Sequence, residues 1–357
     1  MCKVSIICRT YNQENWIEQA ISSVLNQTFT DFELIILDDA STDLTPIKIK
    51  RFSDPRIKAI KHPLQLGHVE SLNRGILEAK GEYICILDGD DAFMPQKLEK
   101  QVSFLDQHPK YGAVYTHIKT MGDQNNSKVQ KHCELFETMI NKPKRTKAQM
   151  FKECYGTGTF LSFASGMFRK EFAFHFPSHL LALGETNFHL SMLIKTNIGV
   201  IEEPLLQYRV MQSYTNKWAN PVGLQSELFF ILDRFLEIES MDLFQEIFEK
   251  ELETIETPLE KDLLPLVLTQ IAEKEDEKIH WANYNFHRFI SDPRNYNLLK
   301  ERLHLTYSQF SKLKRGPLID NAYPIKLQKK VKKYKRLFSL MVGVSIVLLL
   351  INLMVMG

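Results

Sequence analysis

Five cysteines in 357 residues (Cys2, Cys8, Cys85, Cys133 and Cys154) are few and odd in number. None is spaced CxxC, which argues against a disulfide framework or a structural zinc site and for a reducing setting. Cys8 and Cys85 lie inside apolar strand-like runs and read as small core residues. There is no GxxxxGK[ST], and no GxGxxG follows the first strand, so neither a P-loop nor a dinucleotide fold is supported. No HExxH or Ser-His-Asp spacing stands out, and His62, His68, His132 and His189 are isolated and read as surface or core histidines. The chain opens on KVSIIC, strand-like at once, without the apolar core of a secretory signal. Internal repeats and low-complexity tracts are absent.

Acid is missing from one stretch in particular. Residues 326–336 hold seven basic residues and no acidic ones, so against an overall net charge of +2 the rest of the chain is mildly acidic. Such a body is a poor partner for nucleic acid, and none is expected. Residues 337–356 (LFSLMVGVSIVLLLINLMVM) carry no charge at all. Twenty helical residues span roughly 30 Å, the thickness of a bilayer core. This run is expected to be a single C-terminal membrane anchor, and the basic segment before it places the body on the cytoplasmic side.

The hydrophobic content of 44% is ordinary for a globular protein and supplies a sizeable core. Over the first ~120 residues two periodicities alternate. KVSIIC, FELIIL, RIKAI, EYICIL and GAVYT are short β-rich runs, and between them lie helical patterns such as Ile17, Ala20, Ile21, Val24 and Leu25. That alternation predicts an α/β fold, a mainly parallel sheet flanked by helices. Residues 120–147 are polar and weakly periodic and read as a loop with one short helix. Apolar character returns from Phe151 to about Thr215, and residues 220–320 are helical in pattern throughout. The organisation expected is therefore a domain over 1–215, a helical region over 216–325, a basic juxtamembrane segment over 326–336 and a transmembrane helix over 337–356.

The chemistry concentrates where strands end in acid. FELIIL runs into Asp38 and Asp39; YICIL runs into Asp88, Asp90 and Asp91. Three carboxylates within four residues repel one another and raise each other's pKa unless a cation neutralises them. In sequence the nearest Lys or Arg are Lys80 and Lys97, so a divalent metal is the first suspect, Mg²⁺ or Mn²⁺ by the oxygen donors on offer. The ligand crevice of open α/β sheets lies at these carboxyl ends. A plainer role for Asp38 or Asp39 is capping of the turn at Ser41-Thr42-Asp43.

Two stretches, VSIICRTYNQENWIEQAISSVLNQTFTDFELIILDDASTD (4–43) and NRGILEAKGEYICILDGDDAFMP (73–95), carry a resemblance. They resemble the family 2 inverting glycosyltransferases, nucleotide-diphospho-sugar transferases with the GT-A fold. The resemblance is close over roughly the first 115 residues and weaker to about residue 215. It implies that Tyr11 stacks on the nucleotide base and that Asp39 accepts the base's ring N–H, with Asp38 and Arg9 close by. Arg9 stands where many relatives carry proline or a small residue. Asp90 and Asp91, with Asp88 behind them, match the family's metal-binding acids, which hold Mn²⁺ or Mg²⁺.

Relatives place the general base at an acidic pair opening a helix. LGETNFHLSMLIK (183–195) occupies that place and makes Glu185 the base, with Gly184 where the first acid stands. In QYRVMQS (207–213), Arg209 matches a family arginine near the diphosphate, while Met211 replaces a histidine. The implied function is metal-dependent, inverting transfer of a sugar from a nucleotide diphosphate, UDP in the first place, to a glycan or lipid-linked acceptor hydroxyl in polysaccharide assembly. The altered acid pair keeps a second reading open: an inactive relative that binds a nucleotide sugar or acts as a scaffold.

Overall fold

The computed structural model describes residues 2–302, apart from 124, 157–160, 174, 181, 212–220, 256 and 276–277. The basic segment and the apolar run at 337–356 lie outside the described residues. Among the described residues, no helix is long and apolar enough to cross a membrane. The chain divides into two compact units, one over residues 1–219 and one beginning at Asn220.

The first unit runs β1 (Val4–Thr10), α1 (Ile17–Leu25), β2 (Phe32–Asp38), α2 (Thr45–Ile49), β3 (Ile57–Lys61), α3 (His68–Glu78), β4 (Tyr83–Asp88) and β5 (Ala92–Phe93). It continues with α4 (Lys97–Gln107), β6 (Tyr111–Met121), α5 (Ser127–Ile140), α6 (Lys147–Gly156), β7 (Met167–Arg169), α7 (Gly184–Lys195) and β8 (Asn197–Arg209). One eight-stranded sheet results, in the order β3-β2-β1-β4-β7-β6-β8-β5. The predicted parallel sheet is found over β3-β2-β1-β4. Beyond β4 the sheet is mixed, because β7 pairs antiparallel with both β4 and β6, and β5 antiparallel with β8.

The uninterrupted apolar runs of β1, β2 and β4 follow from burial on both faces. Val4, Ile6, Cys8, Leu34, Ile36, Cys85 and Leu87 join Ile17, Ala20, Ile21 and Val24 of α1 and Leu98, Val102 and Leu105 of α4 in one core. Each such aliphatic side chain contributes about 1.5–3 kcal/mol on burial. On the other face α3 approaches so closely that a Cβ at Gly75 would lie 2.3 Å from Cγ2 of Ile7. Only glycine fits there.

The expectation for residues 120–147 is corrected. Instead of a loop with a short helix, the segment forms the 14-residue α5, whose N-cap Asn126 accepts from the amides of Lys128 and Val129. The helix has a structural task. Beyond Val114, β6 runs past its β7 partner and leaves backbone groups on that side. Asn141 accepts from the Ile118 amide and donates to the Ile118 carbonyl, each at 2.8 Å, and Glu137 accepts from the Thr120 amide at 2.7 Å. Side chains thus replace a neighbouring strand, one of the ways an edge is closed. On the other side of β6, the β8 register shifts around His117, opposite Pro204, which has no N–H to give.

Over its described residues, which end at 302, the second unit is helical: α8 (Pro221–Arg234), α9 (Met241–Leu252), α10 (Leu264–Ala272), α11 (Ile279–Ser291) and α12 (Pro293–Arg302). Ser240 caps α9 through the Leu243 amide, and proline opens α12. Leu263, Leu266, Phe286, Phe289 and Leu299 form a core, beside which buried Asn285 donates to Thr269 Oγ1 and the Pro265 carbonyl, each at 3.0 Å.

Candidate active site

Strands β2, β1 and β4 lie side by side and parallel, so their carboxyl ends open together. The register sets Thr10 beside Asp38 and Arg9 beside Asp88. Arg9, only 8% exposed, donates to Asp88 Oδ1 through Nη2 at 2.6 Å and Nε at 2.9 Å. Its guanidinium lies 5.9 Å over the Phe163 ring. The cation near the acidic cluster is therefore not one of its sequence neighbours. Lys97, fully buried, instead donates to Gln101 Oε1 at 2.8 Å.

Arg209, the last residue of β8, is the second cation. Its amide donates to Asp91 Oδ1 at 2.8 Å and its Nε to the Asp90 carbonyl at 2.8 Å. Nη2 is held by Gln19 Oε1 at 2.7 Å, with the Trp16 ring below. The antiparallel pairing of β5 with β8 brings this about, since β5 follows Asp91 directly. The arginine placed near a diphosphate on resemblance is thus engaged in holding the acidic loop. A Cβ at Gly89 would come within 2.5 Å of Gln13 Oε1 and 2.8 Å of Thr10 Oγ1, so that loop lies tight on the end of β1.

Asp90 and Asp91 are buried. Burial, then the Asp88 charge, pushes Asp90 up to about 6, while a hydrogen bond from Gln13 opposes the shift. Burial, then Asp90 and Asp88, raises Asp91 well above the ordinary carboxylate range. Asp91 Oδ2 is buried and without a partner. Among the described residues no group of three or more His, Cys, Asp or Glu side chains gathers as a metal cluster. Two buried carboxylates, one with an unpartnered oxygen, nevertheless suit a hard divalent ion that keeps substrate oxygens or water as its remaining ligands.

At the end of β2, Asp38 Oδ1 accepts from the Ser41 amide at 3.0 Å, the turn role weighed above. Ala40 between them adopts φ +63, unusual for a residue with a side chain. Asp39 is buried and bound to the loop after β3. Its oxygens accept from the amides of Leu66 and Gly67, each at 2.8 Å, and Oδ1 meets Nδ1 of His62 at 2.9 Å. Tyr11, just past β1, is 41% exposed and open for stacking.

Glu185 lies in the first turn of α7. Burial raises its pKa to about 7; Arg9 pulls it down and Asp88 pushes it up. Its charge in turn acts on Arg9 and on buried Tyr115, so it lies within electrostatic range of the Arg9–Asp88 pair. A carboxyl group near neutrality is well matched to proton transfer. Sequence reasoning missed Gln13, Gln19 and His62. Gln13 and His62 each follow the carboxyl end of a parallel strand, and that position was the available signal.

The family described as "Glycosyl transferase family 2" matches residues 5–173. The chain is 38% identical over 132 residues to an uncharacterized glycosyltransferase of Haemophilus influenzae, covering 36% of this chain and 39% of that protein. It is 42% identical over 102 residues to the UDP-Glc:alpha-D-GlcNAc-diphosphoundecaprenol beta-1,3-glucosyltransferase WfgD of Escherichia coli, covering 29% of this chain and 40% of that protein. The chain thus spans about two fifths of the length of these relatives. Among solved structures, S. aureus TarS 1-349 in complex with UDP-GlcNAc superposes with a TM-score of 0.56 at 16% identity, covering 85% of this chain and 91% of that one. At that identity the likeness is one of fold, the GT-A arrangement.

Proposed function

Residues 5–173 are a family 2 glycosyltransferase domain, and from that premise we propose that the protein transfers a sugar from UDP, with inversion, to an acceptor hydroxyl. The observation that carries the proposal is Glu185 at the start of α7: burial raises its carboxyl pKa to about 7, and Arg9 and Asp88 lie within electrostatic range of it. Inversion needs a base on the face opposite the leaving group. Glu185 takes the acceptor hydroxyl's proton as the oxygen attacks the anomeric carbon and the nucleotide diphosphate leaves from the Asp90–Asp91 side. Tyr11 stacks on the base and Asp39 reads it, its Oδ2 keeping a free lone pair beyond the Gly67 amide. Asp38 shapes the turn beneath. Arg9 and Asp88 line the space between donor and base.

Asp90 and Asp91 would hold Mn²⁺ or Mg²⁺, which when bound neutralises charge on the diphosphate. Arg209 keeps both acids in place. The activity in the name of the E. coli relative, transfer from UDP-Glc to a diphosphoundecaprenol-linked sugar, supports UDP as nucleotide and a lipid-linked acceptor. The charge-free run at 337–356 behind a basic segment supports attachment to the cytoplasmic face of a membrane, in glycan or polysaccharide assembly.

The test is calorimetric titration of the full chain in detergent with UDP and with GDP, with and without Mn²⁺. Metal-dependent binding that favours UDP and is lost in Asp90→Asn is expected. Equal binding of both nucleotides, or Mn²⁺-dependent binding retained in Asp90→Asn, counts against the site. Turnover that survives Glu185→Gln unchanged removes Glu185 from the mechanism. Nucleotide binding with no turnover in the parent chain leaves the scaffold reading in its place.

A further inference from the structure

Among the buried polar groups outside the mechanism above is Asn73. Asn73 on α3 is 4% exposed and clasps the backbone of Phe176, in the segment leading to α7. The Phe176 amide donates to Asn73 Oδ1 at 2.7 Å, and Asn73 Nδ2 donates to the Phe176 carbonyl at 3.0 Å. The pair imitates one rung of a β-ladder in a place where no strand runs. Such a fully satisfied buried amide fixes backbone position more firmly than apolar packing alone.

What the clasp fixes is an aromatic platform. The Phe176 ring is stacked on Phe188 of α7, centroids 5.1 Å apart and planes 9° apart. Phe163 meets Phe176 edge-on at 5.6 Å and Phe188 at 5.3 Å. The other side of the platform touches the donor half, since Phe163 lies under the guanidinium of Arg9. Phe188 is one helical turn beyond Glu185, on the same face of α7. The N-cap residue of α7, Leu183, makes no side-chain cap, and the packing against Phe188 bears on the first turn of the helix.

We propose that Asn73 is a positioning residue for the general base: by clasping Phe176 it seats the platform that sets Glu185 against the Arg9–Asp88 pair. The inference rests on the reading of Glu185 as base. Asn73 touches neither substrate nor base and acts only through Phe176 and Phe188. Loosening the clasp lets α7 shift and admits water to the carboxylate. Displacements of about 1 Å cost up to a hundredfold in rate.

The experiment uses the full chain in detergent, with Asn73→Ala and the milder Phe176→Leu as variants and circular dichroism to confirm folding. Glutamate carboxyl carbons are labelled with ¹³C, and the Glu185 resonance is assigned by its loss in Glu185→Gln. The expected result is that Glu185 titrates lower than in the parent, toward the ordinary carboxylate range, in both variants. UDP affinity with Mn²⁺ stays within threefold, and kcat for UDP release from a UDP-sugar falls at least tenfold. An unmoved Glu185 titration in both folded variants overturns the proposal, as does loss of UDP affinity in step with kcat. Failure of the glycosyltransferase reading looks different: Glu185→Gln would then leave the parent's UDP release unchanged.

Discussion

Arg9 and Asp88 stand 79 residues apart in the chain, and Nη2 of one lies 2.6 Å from Oδ1 of the other. The pair forms because β1 and β4 are parallel neighbours in a register that sets the two residues side by side. A buried arginine with one carboxylate partner is both a fixed charge in the cleft and a control on the acids around it.

Arg9→Gln removes the positive charge that lowers the Glu185 pKa and leaves the Asp88 charge that raises it. The acid limb of the pH–rate profile is expected to move to higher pH, with severalfold lower activity at pH 7. An unshifted limb counts against electrostatic control by Arg9.

Glu185→Gln is expected to lower turnover by a factor of about 10²–10⁴, the usual contribution of a general base. UDP affinity should hold. Stability gives an independent check. The folded-state pKa of about 7 lies above the ordinary 4.5, so the carboxyl group's stabilising contribution is complete below 4.5 and is lost as pH rises through 7. Glutamine does not ionise. Its melting temperature should therefore exceed the parent's at pH 8, and the gap should close towards pH 4.5.

Arg209→Gln keeps the backbone N–H hydrogen bond to Asp91 but loses the guanidinium hold on the Asp90 carbonyl and on Gln19. A hydrogen bond from a charged group contributes about 1.5–3 kcal/mol. Metal-dependent UDP affinity is expected to fall about tenfold or more by calorimetry, and the melting temperature by a few degrees.

Asn141→Ala tests the closure of the β6 edge. It leaves the Ile118 amide and carbonyl without partners. An unsatisfied buried group costs about 1–3 kcal/mol, so the unfolding midpoint in urea should drop while UDP affinity is unchanged.

The parallel half of the fold was legible because strands buried on both faces spell continuous apolar runs, and α1 because its apolar residues recur at helical spacing. The strand-end acids were legible for the same reason: nothing in a core explains Asp88, Asp90 and Asp91 after YICIL. Their cations were not. Arg9 and Arg209 reach Asp88 and Asp91 through register and through the two-residue β5, which is too short to leave a pattern. α5 was hidden because it covers only a strand edge with a few apolar residues. Asn141 and Glu137 are loop-like letters until the groups they satisfy are known.

The match to the family ends at residue 173, but the sheet does not. β8 closes at Arg209, and only there do the Asp91 carboxylate and the Asp90 carbonyl receive their partner. Glu185 also falls past the match. A fragment cut at the family boundary would keep Asp88, Asp90 and Asp91 and discard both Arg209, which holds the acidic loop, and Glu185. A piece that keeps the sheet whole therefore runs at least through Arg209, a limit set by strand pairing and invisible to sequence likeness.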